Sequence, residues 1–199
     1  MIIFLNFLLF PSFLDMANYC ESMPSLLNIP LADVLFCYVF PELSARDLFN
    51  LRAVSKELKY LVSEYFKINK ILDLSSVCKS VTQQAFHIFT KDAKNIRVLE
   101  LNSCKWLDST ILSPVLEANK NLYHLNISHC SSISNSCLQI LAVNARLLRV
   151  LNLSNCHWTS AAAIISISLN CNNLESIDLT SCWEVTDEAV CSLSMNCPK

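Results

Sequence analysis

The chain has 199 residues, and its content of 53% hydrophobic and 16% charged residues is enough for one or two compact domains with apolar cores. Its formal net charge of -2 gives it no basic field of the kind that binds nucleic acid or an anionic membrane. The complete absence of glycine excludes Walker loops, GxGxxG fingerprints and glycine-elbow serines, so nucleotide-handling and hydrolase functions lose their usual sequence signatures.

Residues 1–24 are predicted to be an N-terminal leader outside the fold. The apolar run at their start covers about ten residues, which is too short to span a bilayer. It has no positively charged residue before it and no clear cleavage site after it, so Met16 is the more plausible start of the folded protein. A signal peptide on an extracellular repeat scaffold is the alternative, and a cleaved leader with oxidised cysteines would distinguish it.

Residues 25–70 are predicted to form three short helices. Apolar residues recur there at steps of three and four, and Ser44 with Asp47 resembles a capping box at the start of the second helix. About 45 residues make too small a core for independent stability, so we expect this unit to pack on the repeats, on a partner or on both. The apolar positions are Leu31, Val34, Leu35 and Val39 in the first helix, Leu48, Leu51 and Val54 in the second, and Leu58, Leu61, Val62 and Phe66 in the third.

Residues 71–199 contain a repeat of 26 residues, marked by Cys104, Cys130, Cys156 and Cys182. This period lies in the range of leucine-rich repeats. Each cysteine ends a segment of the form L-x-x-L-x-L-x-x-C, and apolar residues at helical spacing follow it, so each repeat is predicted to be a short strand and a helix. Stacked repeats give an α/β solenoid, a curved horseshoe with parallel strands inside and helices outside.

The two ends of this repeat region are irregular. Leu72 and Leu74 begin an imperfect first copy that needs one extra residue. The last repeat is predicted to be incomplete because the chain stops where its next strand would begin, and its strand and helix should then present apolar surface. Three repeat helices are expected to begin at capping residues, which are Ser134, Ser160 and Thr186.

The cysteines are predicted to be structural. Eleven is an odd number that cannot pair completely within one chain, and no CxxC or HExxH spacing occurs. Neighbours on a strand point to opposite faces, so the pairs His129-Cys130 and Cys156-His157 are not expected to share a metal or catalytic site. The repeat cysteines should instead point inward, where a thiol fills space and donates weakly to a carbonyl. With no identifiable nucleophile, base or metal cluster, we predict no catalytic site, no metal site and no cofactor.

Two sets of motifs carry a resemblance to a known family. In residues 25–70 the matching positions are Ile29-Pro30 in the place of Leu-Pro, Val39-Phe40 in the place of Ile-Phe, Leu43, Arg46-Asp47-Leu48 in the place of Asp-Leu, and Val54-Ser55 in the place of Val-Cys or Val-Ser. This segment resembles the F-box motif. The repeats are similar to the cysteine-containing subtype of leucine-rich repeat, whose units often end in Cys-Pro as Cys197-Pro198 do. An F-box followed by such repeats is the layout of the F-box/LRR family.

The resemblance implies a three-helix F-box followed by a leucine-rich-repeat horseshoe, and a role that is not enzymatic. The protein would be the substrate-recognition subunit of an SCF E3 ubiquitin ligase, in the cytoplasm and also in the nucleus. Its F-box would bind the Skp adaptor and through it a cullin-RING ligase, while its repeats recruit a target protein for ubiquitination and proteasomal degradation. No nucleic-acid or membrane partner is expected, and a non-ligase leucine-rich-repeat interaction scaffold is the alternative function.

The resemblance places the adaptor contact on the apolar residues of the F-box segment. For three of these residues an internal core position is an equally good interpretation, because partner-facing and core leucines share one pattern. The core alternative applies to Val39, Leu43 and Leu48. The full predicted adaptor-binding set is Ile29, Pro30, Leu31, Val39, Leu43 and Leu48.

The predicted substrate-binding surface is the concave face of the sheet with its adjacent loops. Side chains alternate along a strand, so when Leu151 and Leu153 point inward their neighbours face the concave side. Tryptophans just past the repeat cysteines are candidate binding anchors. The alternative is that they fold back and cover the edge of the solenoid. The candidates are Glu100, His124, Asn126, Val150, Asn152 and Asp178 on the concave face, and Trp106, Trp158 and Trp183 in the loops.

Overall fold

The computed structural model of the protein describes residues 31–198, which divide into two compact units, one ending at Glu42 and the other beginning at Leu43. Residues 1–30, with the predicted leader, and Lys199 lie outside the described residues. The predicted boundaries between leader and helical segment at 24/25, and between helical segment and repeats at 70/71, stay a prediction. The helices are α1 (Leu31–Val34), α2 (Ala45–Val54), α3 (Lys56–Ile68), α4 (Gln83–Thr90), α5 (Ser109–Ala118), α6 (Asn135–Asn144), α7 (Ala161–Asn170) and α8 (Asp187–Asn196), and the strands are β1 (Ile71–Asp73), β2 (Val98–Glu100), β3 (His124–Asn126), β4 (Val150–Asn152) and β5 (Ser176–Asp178).

The first unit contains a helical segment whose hydrogen bonding changes along its length. A π-helical turn over Leu35–Val39 follows α1, and a 3-10 turn over Phe40–Glu42 ends the segment. Pro41 in that last turn has no N–H to donate, which is incompatible with a continued α-helix. The predicted helical character is confirmed, whereas the regular three-and-four spacing predicted through Val39 is interrupted by the π-helical turn.

The helices α2 and α3 confirm the second and third predicted helices. The Oγ of Ser44 accepts a hydrogen bond from the N–H of Asp47 at 3.2 Å and donates to its Oδ2 at 2.6 Å, so the predicted cap of α2 forms. Ser55 caps α3 in the same way, by accepting from the N–H three residues further on at 3.1 Å. The ring centroids of Phe66 and Phe89 lie 4.8 Å apart, so α3 packs edge to face on the first repeat helix.

The five strands form one parallel sheet in the order β1 to β5, with each strand beside the next in sequence. Their central side chains are aligned across the sheet, and in β2, β3 and β4 they are buried while their neighbours stay half-buried, as the alternation of a strand requires. The 26-residue repeat and its imperfect first copy are therefore confirmed, and the architecture is an α/β stack of repeats compatible with a solenoid. The aligned residues are Leu72, Leu99, Leu125, Leu151 and Ile177.

The repeat cysteines lie inside the stack. The thiol of Cys130 donates to the carbonyl oxygen of Leu101 at 3.2 Å, and that of Cys182 donates to the carbonyl oxygen of Leu153 at 3.1 Å. Each bond joins one repeat to the preceding one, so the predicted inward position is confirmed. Burial raises the pKa of Cys156 to about 12, which leaves its thiol protonated at neutral pH. None of the ten cysteines among residues 31–198 forms a disulfide.

A residue with left-handed backbone precedes the cysteine in four repeats. Ser103, His129, Asn155 and Ser181 have φ angles between 56° and 62°. This conformation costs a residue other than glycine roughly 1 to 2 kcal/mol, and the chain has no glycine to place there. The backbone N–H of each of the first three donates to a carbonyl oxygen of the next repeat at 2.8 to 2.9 Å. Contacts between repeats therefore hold the strained conformation.

The repeat helices begin where predicted, but their capping bonds form only in part. The Oγ of Ser160 accepts from the N–H of Ala163 at 3.4 Å and caps α7. Ser134 and Thr186 occupy the capping positions of α6 and α8 without a side-chain capping bond, so the bonds expected there are wrong. The hydroxyl of Ser134 lies instead 2.9 Å from that of Ser109 in the preceding repeat, and this contact between repeats replaces the local one.

The last repeat exposes apolar side chains that its predecessors bury. Val190 of α8 is 52% exposed, whereas Leu112, Leu138 and Ile164 at the same repeat position are buried. The helices that carry these earlier side chains each contact the next repeat helix, and within residues 31–198 no helix follows α8. The apolar surface expected on this repeat is confirmed.

Candidate protein-binding surfaces

Two of the predicted binding residues are paired with each other on the open face of the sheet. The Nε2 of His124 lies 2.5 Å from the Oε1 of Glu100, and both side chains are half-buried. With the imidazole protonated, this contact is an ion pair between neighbouring strands. Val150 lies directly beside His124 in the next strand and is also half-buried. These three side chains form a continuous patch on that face, and their role in binding stays a prediction.

The polar candidates at the strand ends are already engaged with the backbone. The Oδ1 atoms of Asn126, Asn152 and Asp178 each accept from the N–H two residues further on, at 2.9 to 3.1 Å. Such bonds turn the chain at the end of each strand. Hydrogen bonds from the backbone N–H and the hydroxyl of Thr180 hold the pKa of Asp178 below its ordinary value. One oxygen of each side chain is therefore structural, and the remaining polar atoms are the part that can contact a partner.

The three tryptophans have two different environments. The indole N–H of Trp106 donates to the carbonyl oxygen of Cys78 at 2.9 Å, and that of Trp158 donates to the carbonyl oxygen of Cys130 at 2.7 Å. Both rings are half-buried and join adjacent repeats, as the edge-covering alternative predicted. Trp183 is 78% exposed. It is the tryptophan whose surroundings fit an anchor for a partner.

Two histidines next to the repeat cysteines were not among the predicted binding residues. The ring of His157 stacks on Trp183 with a centroid distance of 6.2 Å and an interplanar angle of 21°, and its Nδ1 lies 2.8 Å from the carbonyl oxygen of Ser181. His129 is exposed, has a left-handed backbone, and its Nε2 lies 3.3 Å from the Nδ2 of Asn155. The repeat period could have revealed both contacts, because residues one period apart are neighbours in a stack. His157 lies one period before Trp183, and His129 lies one period before Asn155.

The predicted adaptor-binding residues differ in what they expose. Leu48 is only 4% exposed and lies in the core of the second unit, which leaves it almost no surface for a partner. Val39 of the first unit and Leu43 of the second are half-buried. Leu31 begins α1, while Ile29 and Pro30 lie outside the described residues. Each of these adaptor contacts stays a prediction.

Other apolar side chains are exposed in the same segment, and they were not among the predicted adaptor-binding residues. Tyr38 in the first unit is 75% exposed, and in the second unit Val54 at the end of α2 and Tyr60 in α3 are also exposed. Exposed aromatic side chains are enriched at the cores of protein interfaces. The helical spacing did not predict them as contact residues, because Tyr38 and Tyr60 do not belong to the apolar face of either helix.

Within residues 31–198 no group of three or more His, Cys, Asp or Glu side chains is arranged to hold a metal ion. In the same range no helix combines the length and apolarity needed to cross a membrane. A groove of about 320 Å³ lies between α4 and α5, with Phe86 and Pro114 in its wall and His87 and Lys91 at its rim.

No protein-family model matches the chain. A chain from the structure of the yeast Rad7 and Elc1 complex is 13% identical, with a TM-score of 0.48 over 71% of this chain and 51% of that one, so the protein spans about half the length of that chain. The tropomodulin C-terminal domain of Caenorhabditis elegans is 12% identical, with a TM-score of 0.55 over 78% of this chain and 92% of that domain. The second likeness is one of fold: both proteins share the α/β architecture described above.

Proposed function

We propose that the protein is a substrate-recognition subunit of an SCF E3 ubiquitin ligase. In this proposal residues 25–70 are an F-box that binds the Skp adaptor, and residues 71–199 are leucine-rich repeats that hold the protein to be ubiquitinated. The observation that carries the proposal is the order of two patterns in one chain, an F-box-like segment followed directly by cysteine-containing repeats. Within the F-box/LRR family, the segments CKWL, SPVLEAN and LRVLNLSNCHW resemble F-box/LRR-repeat protein fifteen.

The adaptor contact is supported by apolar surface on the helices before the repeats. The first unit has the exposed Tyr38 and the half-buried Val39. The second unit has the exposed Val54 and Tyr60 and the half-buried Leu43. An adaptor made of packed helices binds apolar surface of this kind. The buried Leu48 then holds α2 in place rather than touching the adaptor. The proposal assigns no reaction to this chain, because ubiquitin transfer belongs to the other ligase subunits.

Target recognition is supported by the two neighbouring surfaces of the repeats. The open face carries the Glu100 and His124 pair, and the loops at the strand ends carry Trp183 stacked on His157. A wide polar face with an exposed aromatic anchor suits a protein partner better than a small molecule.

Co-purification with the Skp adaptor tests the proposal. The full chain should co-elute with the adaptor, and the double variant Pro30→Asp with Leu43→Asp should weaken binding at least about tenfold, because charges replace apolar contacts. Val143→Asp, an equally drastic change at an exposed apolar position of α6, is the matched control and should bind normally. Circular dichroism melting checks that each variant is folded. Failure of the wild-type chain to bind the adaptor, or equal loss in the control, would leave the repeat scaffold as the function.

A further inference from the structure

Cations are concentrated along one edge of the repeat stack, where each helix leads into the next strand. Arg97 and Arg149 directly precede β2 and β4, and the exposed Tyr123 occupies the equivalent place before β3. A second row lies three residues earlier in the same loops. This second row consists of Lys94, Lys120 and Arg146. We call these five cations with Tyr123 the basic edge; all six side chains are exposed.

The backbone that carries the basic edge is held by hydrogen bonds between repeats. The carbonyl oxygen of Arg97 accepts from the N–H groups of Tyr123 and His124 at 2.9 and 3.0 Å, and the carbonyl oxygen of Tyr123 accepts from the next repeat in the same way. Neighbouring strands are therefore at the usual spacing of about 4.8 Å, which places the backbones of Arg97 and Arg149 about 10 Å apart. The first row is thus preorganised by the sheet itself.

Hydrogen bonds from asparagine side chains fix the loops of the second row. Asn119 is 1% exposed, its Oδ1 accepts from the N–H of Ile96 at 2.9 Å, and its Nδ2 donates to the carbonyl oxygen of Ala93 at 3.0 Å. These two bonds bracket Lys94. The Nδ2 of Asn173 donates to the carbonyl oxygen of Arg146 at 3.0 Å. Binding would therefore require little ordering of the backbone, which lowers its entropic cost.

Most of this charge is not neutralised within the described residues. Arg149 lies 3.5 Å from the Oε1 of Glu175, whereas no ion pair within 4.0 Å joins the other four cations to a carboxylate of residues 31–198. The formal net charge of the whole chain is nevertheless -2. Carboxylates such as Glu100 and Asp178 lie on the open face beside this edge, while Asp92 and Glu175 lie in the edge loops themselves.

We propose that the basic edge binds an extended, acidic segment of a partner protein. In an extended peptide, side chains on one side recur about every 6.8 Å, a distance that long lysine and arginine side chains can match across rows about 5 to 10 Å apart. Tyr123 offers an aromatic surface in the middle of the two rows. No residue of the basic edge belongs to the predicted adaptor-binding set or to the open-face candidates, so the proposal does not depend on the proposed ligase function.

The dimensions and surroundings of the edge favour a peptide over nucleic acid. The first row continues on one side to the exposed Lys70, directly before β1, and ends on the other side at Glu175. Its positive length is therefore about 14 Å, which corresponds to about four extended peptide residues. A phosphate backbone that continued past this length would meet Glu175 on one side and the carboxylate of Asp178 on the open face. Like charges at an interface oppose binding.

Fluorescence anisotropy with a labelled ten-residue poly-glutamate peptide tests the proposal on the full chain. The wild type should bind at low salt and lose affinity as salt rises, because the contacts are exposed ion pairs. Lys94→Gln with Lys120→Gln should weaken binding about fivefold, and adding Arg146→Gln should weaken it further. The matched control is Lys79→Gln with Lys105→Gln, which removes two exposed lysines outside the edge and should change binding less than about twofold.

Three outcomes would overturn the proposal. These are no binding of poly-glutamate by the wild type, equal weakening in the control pair, and tighter binding of a ten-nucleotide single-stranded DNA through the same lysines, which would assign the edge to nucleic acid. Circular dichroism melting of both double variants shows that a loss is not unfolding. Adaptor co-purification of the Lys94→Gln and Lys120→Gln variant should stay normal, so this test and that of the ligase proposal can fail separately.

Discussion

The thiol of Cys156 donates a hydrogen bond to the carbonyl oxygen of Ile127, at 3.2 Å, from one repeat to the one before it. The same bond recurs at Cys130 and Cys182. This series of hydrogen bonds stabilises the repeat stack, since a buried carbonyl left without a donor would be destabilising.

Replacement of one of these cysteines should measure how much its hydrogen bond and its packing contribute to the free energy of unfolding. Cys156→Ala removes a buried sulfur and its hydrogen bond, so we expect the free energy of unfolding to fall by about 1 to 3 kcal/mol. Cys191→Ala, at an exposed position of α8, should change it by less than about 0.5 kcal/mol. Urea denaturation measures both, and equal losses would contradict a special role for the repeat cysteines.

Alkylation should separate the cysteines by burial. At pH near 8 in native buffer, iodoacetamide should modify the exposed Cys37 and Cys191 and leave Cys156 unmodified until urea is added. Burial raises the pKa of Cys156 to about 12, so thiolate is scarce there as well as inaccessible. Mass spectrometry of digested protein reads out each site. Modification of Cys156 as fast as Cys191 would mean that the repeat cysteines do not point inward.

The stability of the repeats should decrease in alkaline solution. The pKa of Cys104 and Cys156 is raised by burial from 9.0 to about 12, so above pH 9 the unfolded chain loses protons that the folded chain keeps. The folded state then binds more protons, and the free energy of unfolding falls as pH rises, by up to about 1.4 kcal/mol per pH unit for each thiol. Urea midpoints between pH 8 and about 11 measure the slope. The slope should be shallower in Cys156→Ala, and an unchanged slope would assign the effect to other groups.

Glycine should be favourable where this chain has a left-handed residue. Ser103→Gly relieves a conformational cost of roughly 1 to 2 kcal/mol and adds a smaller cost in unfolded-state entropy, so we expect a gain of about 0.5 to 1 kcal/mol. Ser166→Gly inside α7 is the control and should instead destabilise, because glycine is a poor helix former. Thermal melting compares the two. A loss of stability in Ser103→Gly would show that its backbone is not strained.

The same substitution at two tryptophans should have unequal effects. Trp158→Phe leaves the carbonyl oxygen of Cys130 without its indole donor, which should lower the free energy of unfolding by about 1 to 2 kcal/mol. Trp183→Phe removes an N–H from an exposed ring and should change it by less than about 0.5 kcal/mol. Equal effects in urea denaturation would contradict the division between a structural and an exposed tryptophan.

The strands and helices of the repeats could be predicted because the same pattern of apolar residues and a cysteine recurs in each repeat. Leucines two residues apart, followed by a cysteine, are compatible with one face of a strand pointing inward, since a shift by one residue would send the whole set to the other face. The capping bonds could not be predicted as safely. Ser134 and Ser160 occupy equivalent positions, yet Ser134 lies near a serine of the neighbouring repeat and Ser160 caps its own helix.

The binding candidates were predictable as positions but not as free surfaces. Asn152 was predicted to lie on the concave face, and it ends β4, yet its single side-chain oxygen accepts hydrogen bonds from the N–H and the hydroxyl of Ser154. Leu48 belongs to the pattern of the F-box motif, and only packing decided that it is buried. The spacing of residues predicts which face of a strand or helix a side chain lies on. Which partners bury it or hydrogen-bond to it depends on how the elements pack.

By itself, the sequence determined the period, the inward columns and the succession of strands and helices, because these follow from alternation along a strand and from periodicity along a helix. Tertiary structure alone decided which of the equivalent side chains contact a neighbouring repeat and which are exposed to solvent. Trp158 is engaged with the preceding repeat and Trp183 is exposed, and the cations of separate loops become one edge. The physical reason is that stacking places residues one repeat apart at about the spacing of adjacent strands, a proximity that no local pattern measures.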